Sequence, residues 1–288
     1  MKEFVVLADN RSNNTELLSE HGLSVYVETE NHKLLLDTGK SNIFLMNAQK
    51  LGIHLEDVDY VFISHGHNDH IGGLPFFLQI NKKAKVIVSS LVPQQQYFSK
   101  RKYLHSITGD TNFEDYNNRF IFVDSNCTID DLKIYQSLSH EYPLPQGNKN
   151  LYLKLNQEYI ADEFHHELVL QTSDFLFTGC AHHGILNILN SIDNMPKICI
   201  GGLHLLDSHL NEHYETDNEL QALAQTLNDN FPDIIFYTGH CTGEHSYSIM
   251  KNILGEKIQQ FSCGTQKKSQ TQKLINLQTH ELKKLTIT

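Results

Sequence analysis

The stretch SHGHNDHIGGL, residues 64–74, gathers His65, His67, Asp69 and His70 within six positions and follows them with two glycines. His65 and His67 are two apart, so at the end of an extended strand their side chains fall on one side. Gly66 between them lets the backbone turn tightly. Asp69 and His70 follow in a turn that opens a helix, where they face a second point. One short loop can therefore present His65 and His67 to one cation, and Asp69 and His70 to another. Imidazole combined with carboxylate suits Zn²⁺, Fe or Mn²⁺ better than Ca²⁺ or Mg²⁺. The competing reading is a solvated histidine loop. An apolar strand, DYVFIS (59–64), feeds the loop and glycines bracket it, which argues for a built site.

His204, in GGLHLL, lies just past a second apolar strand, in the kind of loop that faces a cleft at strand ends. There an imidazole can hydrogen-bond an oxyanion or protonate a leaving group, although a surface-loop histidine is the plain alternative. YFSKRKYLH (97–105) sets Lys100, Arg101 and Lys102 between aromatic residues. It could draw an anion to the mouth of a site, and it could equally be a solvated face of an inserted helix.

The elements that must position these residues are legible as runs and periods. FVVLA (4–8), LSVYVET (23–29), HKLLLDT (32–38) and AKVIVSS (84–90) read as strands, and NIFLMNAQKLG (42–52) as a helix ending at Gly52. IGGLPFFLQI (71–80) reads as a helix continuing from the histidine loop. The segment 93–119 has no clean period and is expected to be an inserted lid or helical excursion. FIFVD (120–124) and LKIYQSL (132–138) return to strands, and HEYPLPQGNKN (140–150) reads as a loop. The second half repeats the grammar: a hairpin turning at 172–174, a helix at 185–192, a strand at 197–202, a helix at 216–230 and a strand at 233–240. The 216–230 helix opens on a Thr216–Glu219 capping box. YVFISHGH and IIFYTGHC echo each other, each running an apolar strand into a histidine loop. No linker divides the chain, so one domain spanning 1–288 is expected. Its end, QTQKLINLQTHELKKLTIT, is placed only as a peripheral strand or helix.

HxHxDH after a buried strand resembles the signature of the metallo-β-lactamase-fold superfamily, and Asp37 in LLLDTG matches its upstream Asp-x-Gly element. NRSNNTELLSEHGLSVYVE, FTGCAHHGILNIL, GGLHLL and GHCTGE narrow the likeness. They resemble the metal-dependent branch related to dihydropterin-type (ribofuranosylaminobenzene 5'-phosphate synthase-like) proteins, over about residues 4–264. The resemblance implies a four-layered αββα sandwich of the α/β class. It implies His240 as the last metal ligand, and Cys180 where the superfamily has an Asp bridging two cations. His182 is then expected to ligate as well. His140 is the positional candidate for the middle ligand histidine, which this branch often lacks, and His183 is read as a neighbour. Asp37 is expected to orient a ligand histidine. Glu20, His21, Asp162, His166 and Glu167 match polar elements of the branch without an assigned role. The expected metal set is thus His65, His67, Asp69, His70, Cys180, His182 and His240, with Asp69 and His204 taking part in the chemistry.

The expected cofactor is one or two divalent transition-metal ions, Zn²⁺ first, with Mn²⁺ or Fe as alternatives. A metal-activated water would attack an ester, and the branch favours a phosphoester-type small molecule. Two other classes share every motif: a synthase building a pterin precursor by condensation, and a non-catalytic metal-dependent ligand-binding protein. The formal net charge of −11 argues against a nucleic-acid partner bound by broad phosphate neutralisation. No apolar run approaches the length needed to span a bilayer, so no membrane partner is expected. MKEFVVLADN reads as a strand, not a secretory leader, and the five cysteines have no scaffold spacing. A reducing, cytoplasmic setting and a small anionic substrate are therefore expected, with oligomeric state open.

Overall fold

The computed structural model describes residues 1–268; the C-terminal segment expected as a peripheral element lies outside them. Strand alternation explains the architecture. In the strand Glu3–Ala8, Phe4 and Val6 enter one buried cluster while Val5 and Leu7 enter another. In Lys33–Leu36, Leu34 and Leu36 separate from Leu35 in the same way, and in Phe175–Phe177 the two phenylalanines separate from Leu176. Strands apolar on both faces must be covered on both sides. The result is two seven-stranded sheets face to face, each backed by helices.

The first sheet orders Gln266–Lys268, Glu3–Ala8, Ser24–Glu28, Lys33–Leu36, Tyr60–Phe62, Lys85–Ser89 and Phe120–Val123. The second orders Ile258–Gln260, Ile235–Thr238, Ile198–Ile200, Phe175–Phe177, Val169–Gln171, Leu132–Tyr135 and Cys127–Ile129. Between them lies a cluster drawn from both sheets, including the edge-on ring pairs Phe4–Tyr237 (centroids 4.9 Å apart) and Phe62–Phe177 (6.1 Å). The helices Ile43–Lys50 and Leu74–Ile80 cover the outer face of the first sheet. Ile185–Ser191, Asp217–Asn230 and Glu244–Leu254 cover the second. This is the αββα sandwich expected from the sequence.

Several local expectations need correction. The helix expected over 71–80 is two, Asn68–Ile71 and Leu74–Ile80. A Cβ at Gly73 would collide with the carbonyl oxygen of Thr38, so this close approach accompanies the break. The 93–119 segment is not a helical excursion. It contributes Tyr97–Ser99 and His105–Ser106 to a four-stranded sheet with Leu151–Leu155 and Glu158–Ala161, a hairpin the sequence reading did not find. The expected loop at 140–150 ends in a 3₁₀ turn, Gln146–Asn150. The expected capping box is present: Thr216 Oγ1 accepts from the Glu219 amide, and the Glu219 carboxylate accepts from the Thr216 amide.

Candidate metal centre

Parallel strands of both sheets end at one rim of the sandwich, and the functional side chains stand there. Four residues just past those strand ends, Asp37, Ala181, His204 and His240, take left-handed backbone angles with φ between 50° and 55°. Such conformations are unfavourable for residues with a Cβ and concentrate where a site over-determines them. The small sheet buttresses the histidine loop: the Asn68 amide donates to the Ile107 carbonyl at 2.7 Å, and Gly109 donates to Gly66 at 3.3 Å. Tyr97 packs so closely over Gly66 that a Cβ there would collide with its ring. The glycine between the two histidines is needed for that close approach as well as for its turn.

Each histidine among the ligand candidates except His67 is gripped from behind by a named partner. Asp37, fully buried, accepts from the Ser64 amide and hydroxyl, both at 2.7 Å, and from His70 Nδ1 at 2.6 Å. Because Ser64 Oγ donates to Asp37, it accepts from His65 Nδ1 at 2.9 Å. Asn148 Oδ1 accepts from His182 Nδ1 at 2.9 Å, and Asn148 Nδ2 donates to the His182 carbonyl at 2.8 Å. Asn10 does the same for His240, with Nδ1 at 3.0 Å and the carbonyl at 2.9 Å. These partners place a proton on Nδ1 of His65, His70, His182 and His240, so each turns its Nε2 to the centre. Asp37 orients two ligand candidates, one directly and one through Ser64.

The donors fall into two sets. His65, His67 and His182 bring ring nitrogens within 4.8 Å of one another, and the Nε2 atom of each is buried with no hydrogen-bond partner among the described residues. Burial, reinforced by neighbouring histidines, pulls these imidazoles toward the neutral form; His67 is brought down to about 3. In the second set, His70 Nε2 is 3.1 Å from both His240 Nε2 and Cys180 Sγ, and Asp69 Oδ2 is 3.3 Å from His240 Nε2. Ligands of one tetrahedral zinc with bonds of about 2.0 Å stand about 3.3 Å apart, so these separations suit a shared cation. Burial opposes protonation of His240, but the Asp69 hydrogen bond together with the charges of Cys241, Asp69 and Asp9 outweighs it and lifts the imidazole to about 9. Burial likewise opposes ionisation of Asp69, yet the surrounding histidines hold its carboxyl well below the usual range. Three orphaned imidazoles on one side and an anionic, thiol-containing set on the other fit a pair of divalent transition-metal ions.

The structure brings together His65, His67, Asp69, His70, Cys180, His182 and His240. His204 stands beside them, its ring centroid 4.2 Å from that of His182 and both of its nitrogens buried without a partner. His140 does not join them: it is exposed, with its ring 5.3 Å from His183. His183 donates from Nδ1 to Glu167 at 2.7 Å, and Glu167 also accepts the His182 and His183 amides at 2.7 and 2.9 Å. Glu167 thus fixes the FTGCAHHG turn. Asp162 and His166 are joined at 3.1 Å, with His166 Nδ1 accepting the Gly66 amide. Glu20 accepts from the Lys40 and Ser41 amides, and His21 lies 3.2 Å from Asp69. The sequence reading missed Asn10 and Asn148, and nothing local in either marks it as a ligand's grip.

All of this opens into a cavity of about 610 Å³ lined by His67, Asp69, Cys180, His182, His204 and His240. Residues 20–141 match the Metallo-beta-lactamase superfamily. The chain carries a metallo-beta-lactamase superfamily domain. A solved metal-dependent hydrolase of the beta-lactamase superfamily superposes on this domain with a TM-score of 0.76 and 28% identity, covering 93% of this chain and 99% of that one. An uncharacterized protein of Methanocaldococcus jannaschii is 26% identical over 83% of this chain and 90% of its own length. From the same organism, the 7,8-dihydropterin-6-methyl-4-(beta-D-ribofuranosyl)-aminobenzene-5'-phosphate synthase is 22% identical over 92% of this chain and 95% of its own. The superfamily domain as matched ends before FTGCAHHG, so Cys180, His182 and His240 rest on the geometry alone.

Proposed function

We propose that this chain is a metal-dependent hydrolase with two cation positions, acting on a phosphoester-type bond of a small anionic molecule. The observation that carries this reading is the convergence of His65, His67 and His182, whose buried Nε2 atoms have no partner among the described residues and two of which line the cavity. Buried imidazole lone pairs cost free energy unless something takes them. His65, His67 and His182 would hold one cation, and Asp69, His70, His240 and Cys180 the other, with Zn²⁺ first and Mn²⁺ or Fe as alternatives. A bound divalent cation supplies Lewis acidity, making water a competent nucleophile near neutral pH and drawing charge from a phosphoryl oxygen.

The chain's own residues supply the rest. His204, unpartnered and facing the cavity, can donate to a developing oxyanion or to a leaving oxygen. Asp69, which stays ionised, can hold a proton-bearing nucleophile in register. Lys40, Arg101 and Lys102 line the same cavity and give an otherwise acidic protein a cationic mouth, which supports an anionic substrate. Loading the protein with Zn²⁺ or Mn²⁺ and assaying phosphomonoesters, phosphodiesters, carboxylic esters and lactams tests the reading. Metal-dependent turnover of a phosphoester supports it, and turnover of none sinks it.

The name of the synthase relative favours a second reading, condensation on the same centre. Turnover that requires two organic substrates, with simple phosphoesters untouched, would select it. Tight metal-dependent binding without turnover would select a ligand-binding protein instead. A cytoplasmic setting is supported by five free thiols. Among the described residues, no helix is long and apolar enough to cross a membrane.

A further inference from the structure

Cys241 has no place in the centre as described so far, yet its surroundings differ from those of the chain's other unassigned thiols. Cys199 is packed between a sheet and its helices, where burial pushes its thiol up to about 12. Cys263 sits against the Asp9 carbonyl at 3.6 Å, far from the ligand set along the chain and outside the cavity lining. Cys241 instead lines the cavity, and its Sγ, Cys180 Sγ and a His240 nitrogen all lie within 4.8 Å of one another.

The backbone delivers that sulfur deliberately. His240 takes a left-handed conformation, and the Thr242 amide returns to the Gly239 carbonyl at 2.9 Å, closing a turn with Cys241 at its crest. Gly202 leaves the space: a Cβ there would collide with Cys241 Sγ. The sulfur accepts the His204 amide N–H at 3.3 Å, an interaction that favours a thiolate. Among the described residues it donates only to the Cys180 carbonyl, at a long 3.8 Å. A buried sulfur that receives an N–H, donates poorly, and stands beside a second cysteine and an imidazole has the surroundings of a ligand.

We propose that Cys241 is a second thiolate ligand of the downstream cation, beside Cys180 and His240. Two thiolates make that position soft, suited to Zn²⁺, Fe²⁺ or Cd²⁺ and poorly suited to Mn²⁺. The inference rests on the metal reading above, and the two fail differently: a protein that takes up no metal refutes both, whereas uptake without a second thiolate refutes only this one.

The test loads the full chain with Co²⁺ or Cd²⁺ alone and records thiolate-to-metal charge-transfer absorbance per bound ion. Cys180→Ser should keep a reduced band, Cys241→Ser should also keep a reduced band, and the double variant should lose it. Abolition of the band by Cys180→Ser alone, with cation still bound, overturns the proposal, as does an unchanged band in Cys241→Ser. If a variant does not fold, ¹¹³Cd NMR of the unmodified protein decides. A downfield resonance characteristic of two thiolates supports the assignment, and one thiolate or none overturns it.

Discussion

The two halves of the centre present opposite chemistry a few side chains apart. The upstream set is three neutral imidazoles, two of them fixed through Nδ1 by Ser64 or Asn148, with their lone pairs unshared. The downstream set mixes a carboxylate, a thiol and two imidazoles, its neighbouring atoms 3.1–3.9 Å apart, and His240 there is drawn toward protonation by Asp69. Burial, reinforced by neighbouring imidazoles, shapes the first, whereas in the second opposite charges offset burial. A cation entering the upstream set meets donors that compete for nothing. One entering downstream must displace a proton.

The largest effect that bears on this contrast comes from removing an upstream ligand. His67→Ala should cost one equivalent of bound metal and reduce any metal-dependent turnover to background while the fold persists; retained stoichiometry by elemental analysis would erase the upstream site. The next largest comes from the grips. Asn148→Ala, which frees His182, should weaken upstream affinity by about 10–100-fold. Asp37→Ala should do so at both positions, since it serves His70 directly and His65 through Ser64. Competition with a chromophoric chelator measures each. Equal loss from both variants at both positions would mean that the halves are one unit.

This contrast also shows where sequence suffices. HGHNDH and its strand are contiguous, so the ligand pair and its partner pair could be read from spacing, and short continuous apolar runs made the buried strands legible. The grips are different in kind. Asn148 meets His182 across 34 positions and Asn10 meets His240 across 230, and neither asparagine carries any local mark of its partner. The hairpin over 151–161 was lost because its second strand, Glu158–Ala161, is exposed throughout and lacks an apolar alternation. Its first strand pairs with the 93–119 segment, so missing one made the other look irregular. His140, the positional candidate left out of the expected ligand set, follows a strand, but its side chain faces solvent. The helix Glu244–Leu254 went unread because it opens on Gly243, which supplies no side-chain cap to mark its start.

Smaller effects concern what the cavity does with substrate. His204→Gln should leave metal content unchanged and lower kcat by about 10²–10³-fold if the imidazole meets a developing charge. A change in KM alone would make it a binding contact. Arg101→Ala and Lys102→Ala should raise KM for an anionic substrate several-fold and flatten its salt dependence, with kcat little changed. An unchanged KM would mean that the basic mouth is only a solvated face.

The smallest effect reads the contrast without any metal or substrate. In the metal-free protein His67 titrates at about 3, far below the ordinary histidine value of about 6.5. The unfolded chain therefore binds more protons at this position between those limits, and stability falls as the pH drops below about 6.5. His240, at about 9, has the opposite sign: its contribution is complete below about 6.5 and is lost as the pH rises toward 9. The two slopes meet, so the Tm of the metal-free protein should peak near pH 6.5. His67→Gln should flatten the acid limb and His240→Gln the alkaline limb. If both variants flatten the same limb, the two halves do not differ in charge, and the distinction between a burial-made and a charge-made site fails.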